Sequence, residues 1–432
     1  MQEKKDRRYD GFFILILLVG IAVRLYLDTS YFFWDETNYI MNAQQLATGS
    51  SPHAQFYERP ILLPLILVPI FNSELIMVLV MVLLNSLSIV MIYNLGLFYG
   101  KKTARISMVI LALFPFHILT SRWVMTDSLA MLLAMIAVWS YWKGIERKSL
   151  LLYLLGGFFV SLSFLMKFTY MMIVVLLFTL FLLKRPKLSF LLYSAGAAIA
   201  TLLPFFIFNI TMFKDPFYPI LRATHVIATP WDVSLFFIIL QIVLFLGLLV
   251  IPIVYSIIKG KDAFLIFWLL FTLAFFVSIV KGVAMPETME WEVQRFLFPV
   301  LAPAILLAAI SLRELSMKRL AAFFLVFILV FAPSYITAYT PKIALQEGLR
   351  EVSKDMGIYL KNNIENDSCV YNVLNWPVLG YYSQRKVIND VSMSEGCKTY
   401  YVEITKEPLN DSIKTVKSGK YFASVKILPD VS

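Results

Sequence analysis

The sequence predicts an all-α, multi-pass membrane protein that carries a small soluble α/β domain at its C-terminal end. Of its 432 residues, 59% are hydrophobic and 15% are charged, whereas soluble domains usually carry about 25% charged residues. Apolar runs long enough to cross a bilayer recur between residues 12 and 338, and the composition turns polar after residue 340. An ordinary soluble protein is therefore excluded for most of the chain.

Eleven apolar runs are predicted to be transmembrane helices, because about 20 helical residues span a hydrocarbon core of about 30 Å. These runs are 12–27, 74–98, 104–119, 128–142, 149–166, 168–183, 188–208, 233–258, 263–280, 296–312 and 320–338. A shorter run over 60–72 contains three prolines and is predicted to be a re-entrant or slanted segment. Lys167 is the one charge within 149–183, so two short helices are predicted to meet there.

The charges of the loops predict the orientation, since short cytoplasmic loops carry an excess of Lys and Arg. With a cytoplasmic N-terminus, the loops on that side hold 18 basic and 6 acidic residues. The opposite side holds 8 basic and 11 acidic residues, and eleven crossings place the C-terminal domain outside the cytoplasm. The net charge of +10 is thus explained by topology and does not indicate nucleic-acid binding.

Residues 341–432 are predicted to form the extracytoplasmic domain, and residues 1–340 the membrane domain. The C-terminal part has a helical pattern near 343–362, followed by strand-like runs at 369–374, 399–404 and 421–427. Cys369 and Cys397 both lie there. An extracytoplasmic compartment permits a disulfide between them, and two reduced, partly buried thiols are the alternative.

The densest set of polar residues on the predicted outer face follows the first helix. Trp34-Asp35-Glu36 and Tyr39 lead through Gly49 to Glu58-Arg59-Pro60. A purely structural explanation is available, because Asp35 is a suitable cap for a helix over 37–47 that ends at Gly49. Polar residues between short membrane spans are otherwise costly, which favours a functional cavity.

In order and spacing these residues resemble the first outer loop of the GT-C superfamily, in the branch that contains protein O-mannosyltransferases and lipid A aminoarabinose transferases. Three later segments are similar to other elements of that branch: Ser121–Asp127, Lys167-Phe168-Thr169 and Gln294–Pro299. The branch often has His-Pro-Pro where this chain has Arg59-Pro60-Ile61. The role of that histidine therefore passes to Arg59 or to no residue here.

The resemblance implies a glycosyltransferase that moves a monosaccharide, with inversion, from a dolichyl or undecaprenyl phosphate to an acceptor hydroxyl. The acceptor would be a protein, a glycan or a lipid at the outer face. The catalytic residues it implies are Asp35 as base, with Glu36 and Asp127 in support. Attack at an anomeric carbon needs a base, whereas a phosphate leaving group, with a second pKa of about 6, needs neutralising charge. The candidate phosphate ligands are Arg59, Arg122, Lys167 and Arg295.

Each of these residues also has an alternative explanation. Lys167 could be a lysine whose ammonium group reaches the membrane surface from a helix end, Arg295 could pair with Glu290 or Glu292, and Asp127 could cap a helix that starts at Ser128.

A metal or other cofactor is not predicted. The three histidines, His53, His117 and His225, are scattered and lack metal-ligand spacing. A divalent cation shared by Asp35 and Asp127, as in the oligosaccharyltransferase branch, is the less favoured alternative.

The main rival function is a transporter or flippase for a lipid-linked or anionic substrate. An enzyme predicts that Asp35, Asp127, Lys167 and Arg295 converge on one cavity open to the outer leaflet. A transporter instead predicts a path of charged residues through the middle of the membrane. Charges central to the apolar runs are nearly absent, which favours the enzyme.

Overall fold

The computed structural model describes residues 10–26, 34–50, 59–227, 235–280, 292–372, 376–388, 397–408, 412–418 and 421–427. Within this part, six helices are long and apolar enough to cross a membrane: Glu74–Tyr99, Asp127–Arg147, Leu188–Phe213, Phe236–Ile258, Gln294–Leu312 and Met317–Thr337. Four shorter apolar helices accompany them: Gly11–Tyr26, Leu150–Met166, Phe168–Lys184 and Ala263–Ser278. The multi-pass membrane class is confirmed, and the number of eleven crossings stays a prediction.

The helices of the described part are α1 Gly11–Tyr26, α2 Trp34–Thr48, α3 Leu62–Leu67, α4 Glu74–Gly96, α5 Lys101–Ala112, α6 Pro115–Thr120, α7 Asp127–Arg147, α8 Leu150–Met166, α9 Ile173–Lys184, α10 Leu188–Phe213, α11 Tyr218–Ile227, α12 Leu235–Leu246, α13 Val250–Ile258, α14 Ala263–Val280, α15 Phe298–Leu312, α16 Met317–Val326, α17 Ala332–Asn363 and α18 Trp376–Ser383. Short 3₁₀ segments include Phe168–Met172 and Glu292–Leu297, and a π-helical turn covers Phe327–Phe331.

The predicted break at Lys167 is confirmed. Helix α8 ends at Met166, Lys167 is extended (φ −156°, ψ 117°), and the chain continues through a 3₁₀ segment into α9. A charged side chain cannot be buried cheaply among apolar helices, so an interruption at this residue gives it a polar environment.

The prediction of one helix over 104–119 is wrong. Helix α5 ends at Ala112 and α6 begins at Pro115, because proline has no N–H for a continuing helix and fits its first turn. Arg24 of α1, which is fully buried, fills this break. Its guanidinium donates to the carbonyl oxygens of Leu111 (3.2 Å) and Ala112 (3.0 Å) and contacts Nδ1 of His117 (2.8 Å).

The chain divides into two compact units. The first comprises Met1–Asp28, Leu79–Arg122 and Thr126–Ile336, and the second comprises Thr29–Val78, Trp123–Met125 and Thr337–Ser432. The second unit thus contains α2 and α3 together with the C-terminal residues. The predicted domain boundary at 340 stays a prediction, and α17 is helical through that point.

The C-terminal residues form a mixed five-stranded sheet in the order β2-β1-β3-β5-β4. Its strands are β1 Cys369–Tyr371, β2 Lys386–Ile388, β3 Thr399–Thr405, β4 Lys414–Ser418 and β5 Tyr421–Ile427. Strand β1 is parallel to β2 and β3, and β5 is antiparallel to β3 and β4. Helices α17 and α18 pack on one face through Val352, Met356 and Leu379.

The predicted strands at 399–404 and 421–427 are confirmed, and the one at 369–374 ends earlier, at Tyr371. Cys369 and Cys397 form a disulfide, with their Cα atoms 5.7 Å apart, so the alternative of two reduced thiols is wrong.

Candidate active site

In the first unit, a carboxylate and a lysine meet at the break between α8 and α9. Asp127 is the first residue of α7, and its carboxylate forms an ion pair with the ammonium group of Lys167. Both side chains are largely buried, with 7% and 15% of their surface exposed. The alternative prediction was that Asp127 caps a helix that starts at Ser128. In the structure the helix begins at Asp127 itself, so Asp127 does not precede it. The lysine is held at the site by a counter-ion from another helix.

Arg295 lies on the 3₁₀ segment that leads into α15, close to the ion pair of Asp127 and Lys167. Its guanidinium carbon is 5.5 Å from the centre of the Phe296 ring, and the Lys167 ammonium nitrogen is 4.7 Å from the same centre. Cations within about 6 Å of an aromatic ring are attracted to its π face. One aromatic ring therefore supports both positive charges.

These side chains line one cavity. It is small and partly open to solvent, and its lining residues are Asp127, Lys167, Thr169, Tyr170, Thr272, Phe275, Arg295, Phe296 and Pro299. Two cations and one carboxylate thus line the same space. The structure brings together three of the four residues expected to converge.

A second small cavity, which is mostly apolar, shares the lining residues Tyr170 and Pro299 with the first. Its other lining residues are Met131, Ala134, Met135, Met172, Ile173, Trp268 and Ala302. A charged cavity beside an apolar one suits an amphipathic ligand, because a polar group and an apolar chain each find a matching environment.

The 3₁₀ segment that carries Arg295 is anchored by the preceding residue, Gln294. Gln294 is fully buried, and its Nε2 donates to Oε1 of Gln241 on α12 at 3.0 Å. The hydroxyl of Tyr335 on α17 donates to Oε1 of the same glutamine. Gln241 and Tyr335 were not predicted from the sequence, because a glutamine and a tyrosine within apolar runs carry no spacing signal.

In the second unit, Asp35 and Arg59 form an ion pair at 2.8 Å, with 15% and 21% of their side chains exposed. Helix α2 begins at Trp34, so Asp35 lies inside the first turn and the expectation of a cap before a helix at 37–47 is wrong. The predicted end at Gly49 is confirmed, since this glycine follows Thr48 with φ +74°, a conformation that favours glycine.

Glu36 is more deeply buried than Asp35, at 5% exposed, and its Oε1 accepts the backbone N–H of Val124 at 3.0 Å. This bond holds the 123–125 segment on α2 within the second unit. Glu36 is therefore placed to support the backbone around α2.

Arg122 forms a hydrogen bond to the C-terminal end of α1 in the first unit. Its guanidinium donates to the carbonyl oxygen of Leu25, near the end of α1, at 2.9 Å. Cations stabilise helix C-termini by neutralising exposed carbonyl groups. Arg122 is not a lining residue of the cavity described above, and its role in binding phosphate stays a prediction.

Among the residues that the structure describes, no group of three or more His, Cys, Asp or Glu side chains could hold a metal ion. His117 contacts Arg24, and His53 lies outside the described residues. The absence of a metal requirement stays a prediction.

Residues 62–210 match a family model described as dolichyl-phosphate-mannose-protein mannosyltransferase. No curated protein matches the chain.

Among solved structures, the fold is similar to that of ArnT from Cupriavidus metallidurans bound to undecaprenyl phosphate, with a TM-score of 0.69 at 12% identity over 96% of this chain and 98% of that one. The apo state of the same protein gives a TM-score of 0.68 at 12% identity over the same shares. The oligosaccharyltransferase of Archaeoglobus fulgidus in complex with Zn and sulfate gives 0.59 at 14% identity, over 91% of this chain and 67% of that one. At these identities the likeness establishes a shared fold over more than nine-tenths of the chain.

Proposed function

We propose a reaction for this chain. The premise is that the chain is a multi-pass membrane glycosyltransferase of the GT-C superfamily, whose members use polyprenyl-phosphate-linked sugars. Residues 62–210 match the dolichyl-phosphate-mannose-protein mannosyltransferase family. The resemblance inferred from the sequence is confirmed by this match. The proposed reaction is the transfer of one monosaccharide from a polyprenyl phosphate to an acceptor hydroxyl at the outer face, with inversion at the anomeric carbon.

The observation that carries the proposal is the cavity that Asp127, Lys167 and Arg295 line together. The two cations and the hydroxyl of Thr169 are suitable ligands for a phosphate group. The adjoining cavity is apolar, which matches the chemical character of a polyprenyl chain. One of the structures with the same fold holds undecaprenyl phosphate, which supports this choice of ligand.

The cations have a specific task in the reaction. When the bond between the anomeric carbon and the phosphate oxygen breaks, the electron pair leaves with the phosphate and its negative charge grows. Lys167 and Arg295 neutralise that charge, so no proton has to be delivered to the leaving group. Asp127 keeps the lysine in place through its ion pair. As a second carboxylate in the site, Asp127 is also proposed to bind hydroxyl groups of the acceptor or the sugar.

Asp35 is proposed as the base that accepts the proton of the attacking hydroxyl. Its ion pair with Arg59 favours the ionised carboxylate, which is the form that accepts a proton. Because of this ion pair, Arg59 is proposed to serve the base rather than the donor phosphate. Glu36 supports Asp35 through the backbone of Val124 and takes no proton itself.

The orientation is proposed as predicted, with a cytoplasmic N-terminus, eleven crossings and an extracytoplasmic C-terminal domain. The disulfide between Cys369 and Cys397 supports this placement, since such bonds persist in oxidising compartments. A transporter is less well supported. Asp127, Lys167 and Arg295 lie where helices begin or end, whereas a transport path needs charges along the middle of the spans.

The test is mass spectrometry of cell-surface glycans from cells that lack the gene and from the same cells carrying the wild-type gene or Asp35→Asn. We expect one monosaccharide to disappear with the gene, to return with the wild type and to stay absent with Asp35→Asn. The matched control is Asp215→Asn, in the turn between α10 and α11, which should restore the sugar. Restoration by Asp35→Asn would remove this residue from the role of base, and an unchanged glycan profile without the gene would argue against a transferase.

A further inference from the structure

We infer that Gln294, Gln241 and Tyr335 form a positioning relay that sets the place of the Arg295 guanidinium and thereby the preference of the site for a phosphate head group. The inference rests on the proposed function, because it takes Arg295 as a ligand of the donor phosphate. It adds three residues that do not line the cavity and that belong to three different elements: the 3₁₀ segment 292–297, α12 and α17.

The relay is buried among apolar helices. Gln294 is 0% exposed, Gln241 4% and Tyr335 6%. Burying an amide or a hydroxyl costs free energy unless it is hydrogen-bonded. Here the three groups are hydrogen-bonded in a chain. The hydroxyl of Tyr335 donates to Oε1 of Gln294, and Nε2 of Gln294 donates to Oε1 of Gln241. Breaking one bond therefore leaves a buried polar group without compensation.

The relay acts on Arg295 because the two residues are consecutive in a 3₁₀ segment. In such a segment successive side chains point about 120° apart, so one turns inward while the next faces the cavity. A 3₁₀ segment also has weaker backbone hydrogen bonds than an α-helix and depends on side-chain anchors for its exact position. Gln294 supplies that anchor from two sides, and Arg295 is left to line the cavity.

A purely structural role makes a different prediction. If the relay only stabilises helix packing, its loss lowers the amount of folded protein and weakens every ligand equally. If it positions Arg295, its loss weakens a phosphorylated lipid and leaves the neutral alcohol of the same chain length unaffected. The ratio of the two affinities therefore separates the two roles, and this ratio is independent of the unidentified sugar and acceptor.

The experiment measures binding of undecaprenyl phosphate and of undecaprenol to the full-length, detergent-purified chain by titration in native mass spectrometry. The variants are Tyr335→Phe, Gln294→Met and Arg295→Ala. The matched control is Tyr141→Phe, because Tyr141 is a fully buried tyrosine of α7 whose hydroxyl has no hydrogen-bond partner in the part of the chain that the structure describes.

We expect Tyr335→Phe to weaken undecaprenyl phosphate binding about fivefold, the value of one net hydrogen bond, and Gln294→Met to weaken it about tenfold or more. The double variant should bind no more weakly than Gln294→Met alone, because the tyrosine acts through that glutamine. Binding of undecaprenol should stay unchanged throughout, and Tyr141→Phe should match the wild type for both lipids.

Three results would overturn the inference in distinguishable ways. If Arg295→Ala loses the preference for the phosphate while Tyr335→Phe and Gln294→Met keep it, the relay has no positioning role and the proposed function stands. If Arg295→Ala itself keeps the preference, the assignment of Arg295 in the proposed function is wrong and the inference fails with it. An equal loss for both lipids in the relay variants assigns the relay to structure alone.

Discussion

Replacing Lys167 by methionine is expected to lower both the stability of the protein and its affinity for a lipid phosphate, and the two effects can be separated. The ion pair with Asp127 is largely buried, with the carboxylate only 7% exposed. Removing one partner of such a pair leaves an uncompensated charge and costs about 3–5 kcal/mol. Lys167→Met should therefore lower the unfolding temperature of the detergent-solubilised protein by several degrees.

A second substitution should remove the loss of stability without restoring the affinity for a lipid phosphate. In Lys167→Met with Asp127→Leu no buried charge remains, and apolar replacement of a buried ion pair is often neutral or stabilising. The unfolding temperature should return to near the wild-type value. Affinity for undecaprenyl phosphate should stay low, because a hydrogen bond to a charged group contributes about 1.5–3 kcal/mol, or about 10- to 150-fold in binding.

The assay combines scanning fluorimetry with a binding titration on the same preparations. A double variant that is stable and still binds undecaprenyl phosphate as tightly as the wild type would refute the role of Lys167 as a phosphate ligand. A single variant that is as stable as the wild type would refute the argument from the buried carboxylate.

Three further predictions concern packing, the disulfide and pH. Gly157→Ala should lower the unfolding temperature, since an added Cβ would lie 1.9 Å from the carbonyl oxygen of Ser194 on α10, whereas Gly196→Ala, with open space around it, should not. Cys397→Ser should destabilise the C-terminal sheet by about 3 kcal/mol and speed hydrogen exchange in β1 and β3; unchanged exchange would contradict this. A hydrogen bond from its own backbone amide lowers the pKa of Glu365 to about 2, so its stabilising effect is present above pH 4.5 and is lost as the pH falls towards 2. Glu365→Gln should flatten the acid limb of a stability profile recorded between pH 6 and pH 2, and an identical limb would contradict the assignment.

The sequence predicted those features that depend on local patterns. The break at Lys167 followed from one charge within 35 apolar residues, and the end of α2 followed from Gly49. Pro115 carried an equally local signal for the break between α5 and α6, which the long apolar run concealed. Strands β2 and β4 gave no signal, because the first has three residues and the second is a polar edge strand.

Pairings between distant residues could not be predicted in the same way. The meeting of Asp127, Lys167 and Arg295 was expected from a family resemblance, since spacing alone does not say which helix ends adjoin. The pair of Asp35 with Arg59 depends on how α2 and the chain before α3 fold back on each other. The relay around Gln294 depends on the register of α12 and α17 against a 3₁₀ segment, which tertiary packing decides.

The buried arginine of α1 has a consequence for how the protein is made. Arg24 donates hydrogen bonds to the carbonyl oxygen of Gly20 in its own helix and to two carbonyl oxygens that lie 87 and 88 residues further along the chain. When α1 leaves the ribosome the two distant partners have not yet been synthesised, and an arginine in a membrane segment is costly until its polar groups are paired. We therefore expect α1 to reach its full stability in the bilayer only after α5 and α6 have been made and pack against Arg24.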